Sequence, residues 1–243
     1  MTSVAENLEK LETAIAAACR HAGRHREDVE LMAVSKTYPA ETIIEAAALG
    51  CTLFGENRVQ EFIEKSGQLD PLRTRPQNAI RVHLIGHLQS NKATRAAELF
   101  DAVDSVDSLR LARRLDEAAA KLNKKLPVLI EVKLSPEETK QGLDPQSADA
   151  AELFENLPGL HSLELRGLMT IAPWGAEEAV TRACFRNLRE WRDRWAAKYP
   201  SLNFNVLSMG MSGDFPLAIA EGATRIRVGT AIFGKRAPYT GPA

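Results

Sequence analysis

Short apolar runs alternate along this chain with stretches whose apolar residues recur at steps of three and four, and the alternation repeats eight times. The first run, Leu31-Met32-Ala33-Val34, ends abruptly in Ser35-Lys36. Pro39 and Glu41 then open a segment with Ile43, Ile44, Ala47 and Ala48 at helical spacing, closed by Gly50. Pro near a first turn and Gly past a last one predict the order strand, lysine, helix. Ahead of this unit, Ser3 and Glu6 have capping-box spacing. Val4, Leu8, Leu11, Ile15 and Ala18 mark one face of a helix that ends near Gly23 and is expected to lie across one end of the fold.

The later repeats follow the same grammar. Thr52-Leu53-Phe54 runs into Gly55-Glu56-Asn57, and a helix carrying Val59, Phe62 and Ile63 is expected to stop near Gly67. Arg73 and Arg75 fall in the following loop as solvated charges. A third strand, Ile80–Ile85, leads through Gly86-His87 and a polar turn at Gln89-Ser90-Asn91 to a helix ending about Leu99. A brief fourth strand lies near Ala102-Val103. Asp107 or Ser108 caps a helix with Leu109, Ala112, Leu115, Ala119 and Leu122 on one face. The fifth strand, Val128–Val132, precedes a polar loop through Pro136, Lys140 and Gly142, and Ser147 caps a helix with Leu153, Phe154 and Leu157. The sixth strand lies within Leu163–Ile171, interrupted by Gly167. Val180, Cys184, Leu188, Trp191 and Trp195 form a helical stripe expected to pack on the sheet. Phe204–Leu207 and Arg225–Val228 complete the strands, with a short helix at Leu217, Ala218 and Ala220 between them.

Short strands that are apolar throughout are covered on both faces. Their alternation with helices predicts a parallel sheet with right-handed crossovers. Eight repeats in 243 residues fit a closed (β/α)8 TIM barrel, an α/β fold, as a single domain over residues 1–236 with an extra N-terminal helix. Residues 237–243 are expected to form a flexible tail. The alternative, an open doubly wound sheet, lacks a G-x-G-x-x-G after the first strand.

Composition removes several function classes. A net charge of −1 offers no electrostatic grip on nucleic acid. Three cysteines, Cys19, Cys51 and Cys184, stand far apart with no CxxC, as buried thiols in a reducing cytoplasm would. No signal-peptide pattern and no membrane-spanning apolar run is visible, so a cytoplasmic location is expected. No metal-ligand spacing occurs.

In such a barrel the active face is built by the residues after each strand. Lys36, Asn57, Gly86, His87, Glu131, Lys133, Met169, Thr170, Ser208, Arg227, Gly229 and Thr230 all fall there. Ser208-Met209-Gly210-Met211-Ser212-Gly213-Asp214 and Val228-Gly229-Thr230 are glycine turns with hydroxyls at the seventh and eighth loops, where barrels commonly hold phosphate; taken singly, each is also an ordinary tight turn. A strand-end lysine opposite a phosphate site suits pyridoxal 5′-phosphate, which carries a phosphate, an aldehyde and a ring nitrogen. Arg227 is placed to reach that nitrogen; its plainer role is a surface ion pair.

Six segments carry a resemblance: Ala33–Thr37, Phe54–Asn57, His83–Lys92, Gly167–Met169, Ser208–Ser212 and Arg227–Gly234. Together, in order over nearly the whole chain, they resemble the pyridoxal phosphate homeostasis protein family, which looks like the barrel domain of alanine racemase standing alone. The resemblance implies that Lys36 carries the cofactor as an internal aldimine. It implies that Arg227 faces the pyridine nitrogen and that Ser208, Gly229 and Thr230 hold the phosphate, with Ser212 helping and Asn57 lining the pocket. The family often has Tyr after Asn57; here the residue is Arg58, a departure at the pocket rim. His87, Glu131 and Lys133 are either pocket residues or structural, and for His87 a satisfied core histidine is one of the two readings.

Arginine has only donors and keeps its charge, so the nitrogen it faces is an unprotonated acceptor and the ring a poorer electron sink. Alanine racemase compensates with two bases, its lysine and a tyrosine from a second subunit's extra domain. This chain ends soon after the eighth strand, and of its tyrosines only Tyr38 is near the active face; Tyr199 and Tyr239 are not. The expectation is therefore a non-catalytic, monomeric carrier that buffers pyridoxal phosphate and delivers it through transient contact with apo-enzymes. A narrow-specificity amino-acid racemase and a sugar-phosphate enzyme without a Schiff base are the alternatives.

Overall fold

The computed structural model describes residues 3–135 and 141–234. The chain runs α1 (Val4–His21), β1 (Glu30–Val34), α2 (Ala40–Ala48), β2 (Leu53–Glu56), α3 (Val59–Arg73), β3 (Arg81–Leu84), α4 (Ala93–Leu99), β4 (Ala102–Val106) and α5 (Leu109–Lys121). It continues through β5 (Leu126–Glu131), α6 (Ala148–Asn156), β6 (Leu163–Met169), α7 (Glu178–Lys198), β7 (Val206–Ser208), α8 (Phe215–Ala220), β8 (Arg225–Val228) and α9 (Thr230–Phe233). The strands close a parallel barrel in sequence order, and β1 seals it against β8 with Met32 beside Arg227. The (β/α)8 expectation stands.

Two apolar regions follow from the period of two in the strands. Outward residues such as Ala33, Phe54, Val82, Val103 and Ile226 merge with the helices' inner faces into one core. Inward, Met32, Val34, Leu53 and Ile85 form a separate plug. Gly55 admits it, since a Cβ there would meet Met32 Sδ at 2.8 Å.

Local signals placed most elements correctly. Ser3 and Glu6 form the capping box of α1. Ser108, not Asp107, caps α5, and Ser147 caps α6 with its oxygen 3.2 Å from Ala150 N. Ser147→Ala is expected to lower stability by about 1 kcal/mol, read as a shifted urea midpoint.

Other boundaries differ, for physical reasons. Helix α3 continues past Gly67 because Leu69 is fully buried, and that burial outweighs the glycine penalty of about 1 kcal/mol. Arg73 therefore lies on the helix, paired with Asp101 at 3.0 Å. Strand β4 extends to Val106 through the polar but buried Asp104 and Ser105. Gly167 does not interrupt β6: at φ 151° it accompanies a register shift against β5, and a Cβ there would sit 1.9 Å from the Val206 carbonyl oxygen. Ile44 and Val180 face solvent; Ile43, Ala46 and Ala47 carry the buried face of α2. On α7, Trp195 packs on Phe154 of α6 with ring centroids 4.4 Å apart, so part of that stripe joins helix to helix. Helix α1 does not cross an end of the barrel. It stands in the outer ring against α8 and α9, where Asn7 Nδ2 donates to the Ile232 carbonyl at 2.9 Å. Pro136, Lys140 and the expected tail at 237–243 lie outside the described residues.

Candidate functional site

All seven sequence-chosen residues fall on one arc of the barrel mouth. β7, β8, β1 and β2 are consecutive neighbours, and Ser208, Ser212, Arg227, Gly229, Thr230, Lys36 and Asn57 lie at or just past their carboxyl ends. Lys36 sits half-buried in a turn directly after β1. Arg227 is buried, not a surface ion pair; Nη1 donates to Ser208 Oγ at 2.9 Å and Nη2 to the Thr170 carbonyl at 2.8 Å. Its immediate hydrogen-bond partners are thus neutral oxygens. Burial pulls the guanidinium down from its ordinary value, against the carboxylates of Asp104, Glu131 and Asp214. Ser208 is itself fully buried; its oxygen accepts from Arg227 and its hydrogen remains available to donate.

The seventh and eighth loops meet. The loop after β7 runs along β8, with Met209 N–H donating to Arg225 C=O (3.0 Å) and Arg227 N–H to Gly210 C=O (2.9 Å). Gly210 has φ 93°, and a Cβ there would meet Ala218 Cβ at 2.6 Å. Ser212 Oγ lies 3.4 Å from Ala231 N, tying this loop to the first turn of α9, whose first residue is the exposed Thr230. Two glycine turns with hydroxyls thus share one corner of the mouth; the first amides of α8 are bonded within their own turn and Met211 N–H to the Asp214 carboxylate, so the hydroxyls and the turn at Gly229-Thr230 are what this corner offers a ligand.

A cavity of about 190 Å³ opens on the other side, lined by Asn57, His87, Glu131, Lys133 and apolar Ile85 and Ile171, among others. The three residues with undecided roles all reach it. His87 is not in the core: its side chain is 43% exposed and pairs with Asp107 at 3.3 Å. Glu131 is buried, and burial pushes its carboxyl up to about 7; Arg227 opposes the rise and Asp107 adds to it. Gly86 lets the loop after β3 approach Asn57, since a Cβ there would lie 2.1 Å from the Asn57 carbonyl oxygen. Arg58 is exposed at the start of α3. Tyr38 turns to the last helix: its hydroxyl donates to the Gly234 carbonyl at 2.8 Å and its ring lies 5.0 Å from Phe233.

Sequence reading missed the charges beneath the mouth. Asp104 on β4 takes His83 at 3.0 Å and Arg225, from the opposite side of the barrel, at 3.1 Å. Arg225 continues to Glu30, which holds Arg81. Lys65 of α3 pairs with Glu56 at 2.9 Å below the Lys36 turn. A charged residue inside an apolar strand was the one available signal, in Glu56, Asp104 and Arg225.

Among the described residues no helix is long and apolar enough to cross a membrane, and no group of His, Cys, Asp or Glu could hold a metal ion. Residues 7–237 match the family described as alanine racemase, N-terminal domain. The pyridoxal phosphate homeostasis protein of Vibrio cholerae is 43% identical over 237 residues, 97% of this chain and 98% of its own. That of Escherichia coli K12 is 40% identical over 97% and 98%. PipY of Synechococcus elongatus, solved without and with PLP bound, superposes with TM-scores of 0.82 and 0.81 at 44% and 43% identity, covering 96% of this chain and all of PipY. Alanine racemase of Clostridium difficile shares the fold, with a TM-score of 0.68 at 17% identity over 94% of this chain and 57% of its own. By barrel, mouth and relatives alike, the chain belongs to the pyridoxal phosphate homeostasis protein family, built on the alanine racemase N-terminal domain.

Proposed function

We propose that this protein captures pyridoxal 5′-phosphate on Lys36, buffers the free aldehyde and delivers the cofactor to apo-enzymes without turning over a substrate of its own. The observation that carries the reading is the placement of three complementary groups on neighbouring strands. A lysine follows β1, a buried arginine held by neutral oxygens lies on β8, and an amide-and-hydroxyl corner joins the last two loops. These residues fit the cofactor. Ser208, Ser212, Gly229 and Thr230 supply donors for its phosphate, Arg227 a donor for its ring nitrogen, and Asn57 a polar wall. Bound there, the cofactor supplies an aldehyde to an amine. Lys36 condenses with it: a C=N bond forms, and the aldehyde oxygen leaves as water with both amine hydrogens. The binding of PLP by PipY supports this reading.

The non-catalytic part rests on Tyr38. Its hydroxyl is engaged by Gly234 and its ring by Phe233, so the tyrosine nearest the mouth is not poised as a second base. A second reading starts from Glu131, a buried carboxyl on the cavity wall. Burial pushes it up to about 7, the range a general base needs, which suits an amino-acid racemase or another pyridoxal enzyme.

Added cofactor is expected to turn the protein yellow, and borohydride to fix its mass on the Lys36 peptide. Lys36→Ala is expected to lose both effects and stay folded. A wild-type protein that stays colourless with added cofactor overturns the proposal. Amino acids in deuterated water are expected to show no α-proton exchange above free cofactor. Rapid exchange that Glu131→Gln abolishes would establish the second reading instead.

A further inference from the structure

The turn that bears Lys36 is gripped from beneath by a second, buried lysine. Tyr38 N–H closes the turn on the Ser35 carbonyl at 3.1 Å. Its third residue, Thr37, has φ 69°. Turns with a left-handed third position usually place Gly or Asn there, and a β-branched residue adopts it only under constraint. Helix α3 supplies the constraint. Lys65 Nζ donates to the carbonyls flanking Lys36, Ser35 at 3.2 Å and Tyr38 at 3.0 Å. The Thr37 N–H donates to the Glu61 carboxylate, and Lys65 joins the same oxygen at 3.2 Å. Underneath, Glu56 Oε1 forms an ion pair with Lys65 at 2.9 Å and accepts from the Ser35 hydroxyl at 2.6 Å.

Stability alone is a poor reason for this cluster. Buried ion pairs are frequently no better than a well-packed apolar core. Glu56 also leaves Oε2 buried with no hydrogen-bond partner among the described residues. What the cluster achieves is geometric: it fixes the backbone on both sides of Lys36 to one helix. An amine attacking an aldehyde whose phosphate is anchored elsewhere must arrive within a narrow range of position and direction.

We infer that Lys65, together with Glu61, is a positioning residue for Lys36: it holds the strained turn that aims the reactive amine, and touches neither cofactor nor aldehyde. The inference rests on Lys36 being the capturing amine. It is tested with wild type, Lys65→Met and Glu61→Ala, each mixed with pyridoxal phosphate, quenched with borohydride at timed intervals and peptide-mapped. Circular dichroism of the bound chromophore is recorded in parallel.

The label is expected on Lys36 in all three proteins. Its rate of appearance should fall at least about tenfold in Lys65→Met, with weakened chromophore dichroism, and several-fold in Glu61→Ala. Adding Thr37→Gly to Lys65→Met should recover part of the rate, because glycine adopts the turn without constraint. Wild-type rates and dichroism in both single variants overturn the inference and leave capture on Lys36 standing. No label on Lys36 in the wild type overturns the underlying reading instead. Should Lys65→Met fail to fold, the more peripheral Glu61→Ala decides the question by the same rates.

Discussion

Asp104→Ala is expected to lower the unfolding free energy by about 3–5 kcal/mol, the usual result of removing one partner from a buried ion pair. Asp104 lies inside the barrel and is 1% exposed. Its two oxygens hold His83 from the neighbouring strand and Arg225 from the opposite one. Among the described residues, alanine would leave the Arg225 guanidinium paired with Glu30 and without its partner inside the barrel. Asp104→Asn keeps the shape and part of the hydrogen bonding, so its loss should be smaller. Acid unfolding supplies the independent check. Burial by itself would raise this carboxyl, but His83, Arg225 and Arg227 outweigh burial and hold it below its ordinary value. A carboxyl lowered by folding contributes stability above its unfolded value, about 3.9. That contribution disappears as pH falls through the folded value. Asp104→Ala should therefore show a flatter dependence of unfolding free energy on pH below about pH 5 than wild type. Urea titrations across that range measure it.

Glu131→Gln should act in the opposite direction and at the opposite end of the pH scale. Its carboxyl is raised to about 7, chiefly by burial, from an ordinary 4.5. The folded protein then binds a proton between those values that the unfolded chain has released. Stability is unpenalised below about pH 4.5 and falls as pH rises to about 7, after which the loss is complete. A difference of about 2.5 pH units at about 1.4 kcal/mol each gives a penalty on the order of 3 kcal/mol. Glutamine fills the same space without a charge to desolvate. The variant should match wild type near pH 4.5 and exceed it by up to about 3 kcal/mol at pH 8, read by thermal melts at both values. Equal stability at pH 8 would show that Glu131 is already neutralised or well solvated.

Much of this architecture was readable one segment at a time. The order strand, Lys36, helix needed only an apolar run, Pro39 and Gly50. Ser3, Ser108 and Ser147 announced helix starts because a cap bonds within three residues. The hydroxyl-and-glycine turns at Ser208–Asp214 and Val228–Thr230 stood out for the same reason. Misreadings came where a distant contact outweighed a local preference. Leu69 carries α3 past Gly67, and Asp104 and Ser105 extend a strand that polarity seemed to end.

The sequence by itself determined the eight strand–helix units, and with them the barrel and the corner where the candidate site residues gather. Each depends on spacings within a turn or two of chain, and parallel units of this kind close in sequence order. Only the tertiary structure decided which charges share the interior. Asp104 meets Arg225 across 121 residues and the width of the barrel, and Lys65 finds Ser35 across thirty. Propensity and periodicity carry no record of such pairs, because a buried charge selects its partner only once closure has removed the water that would otherwise solvate it.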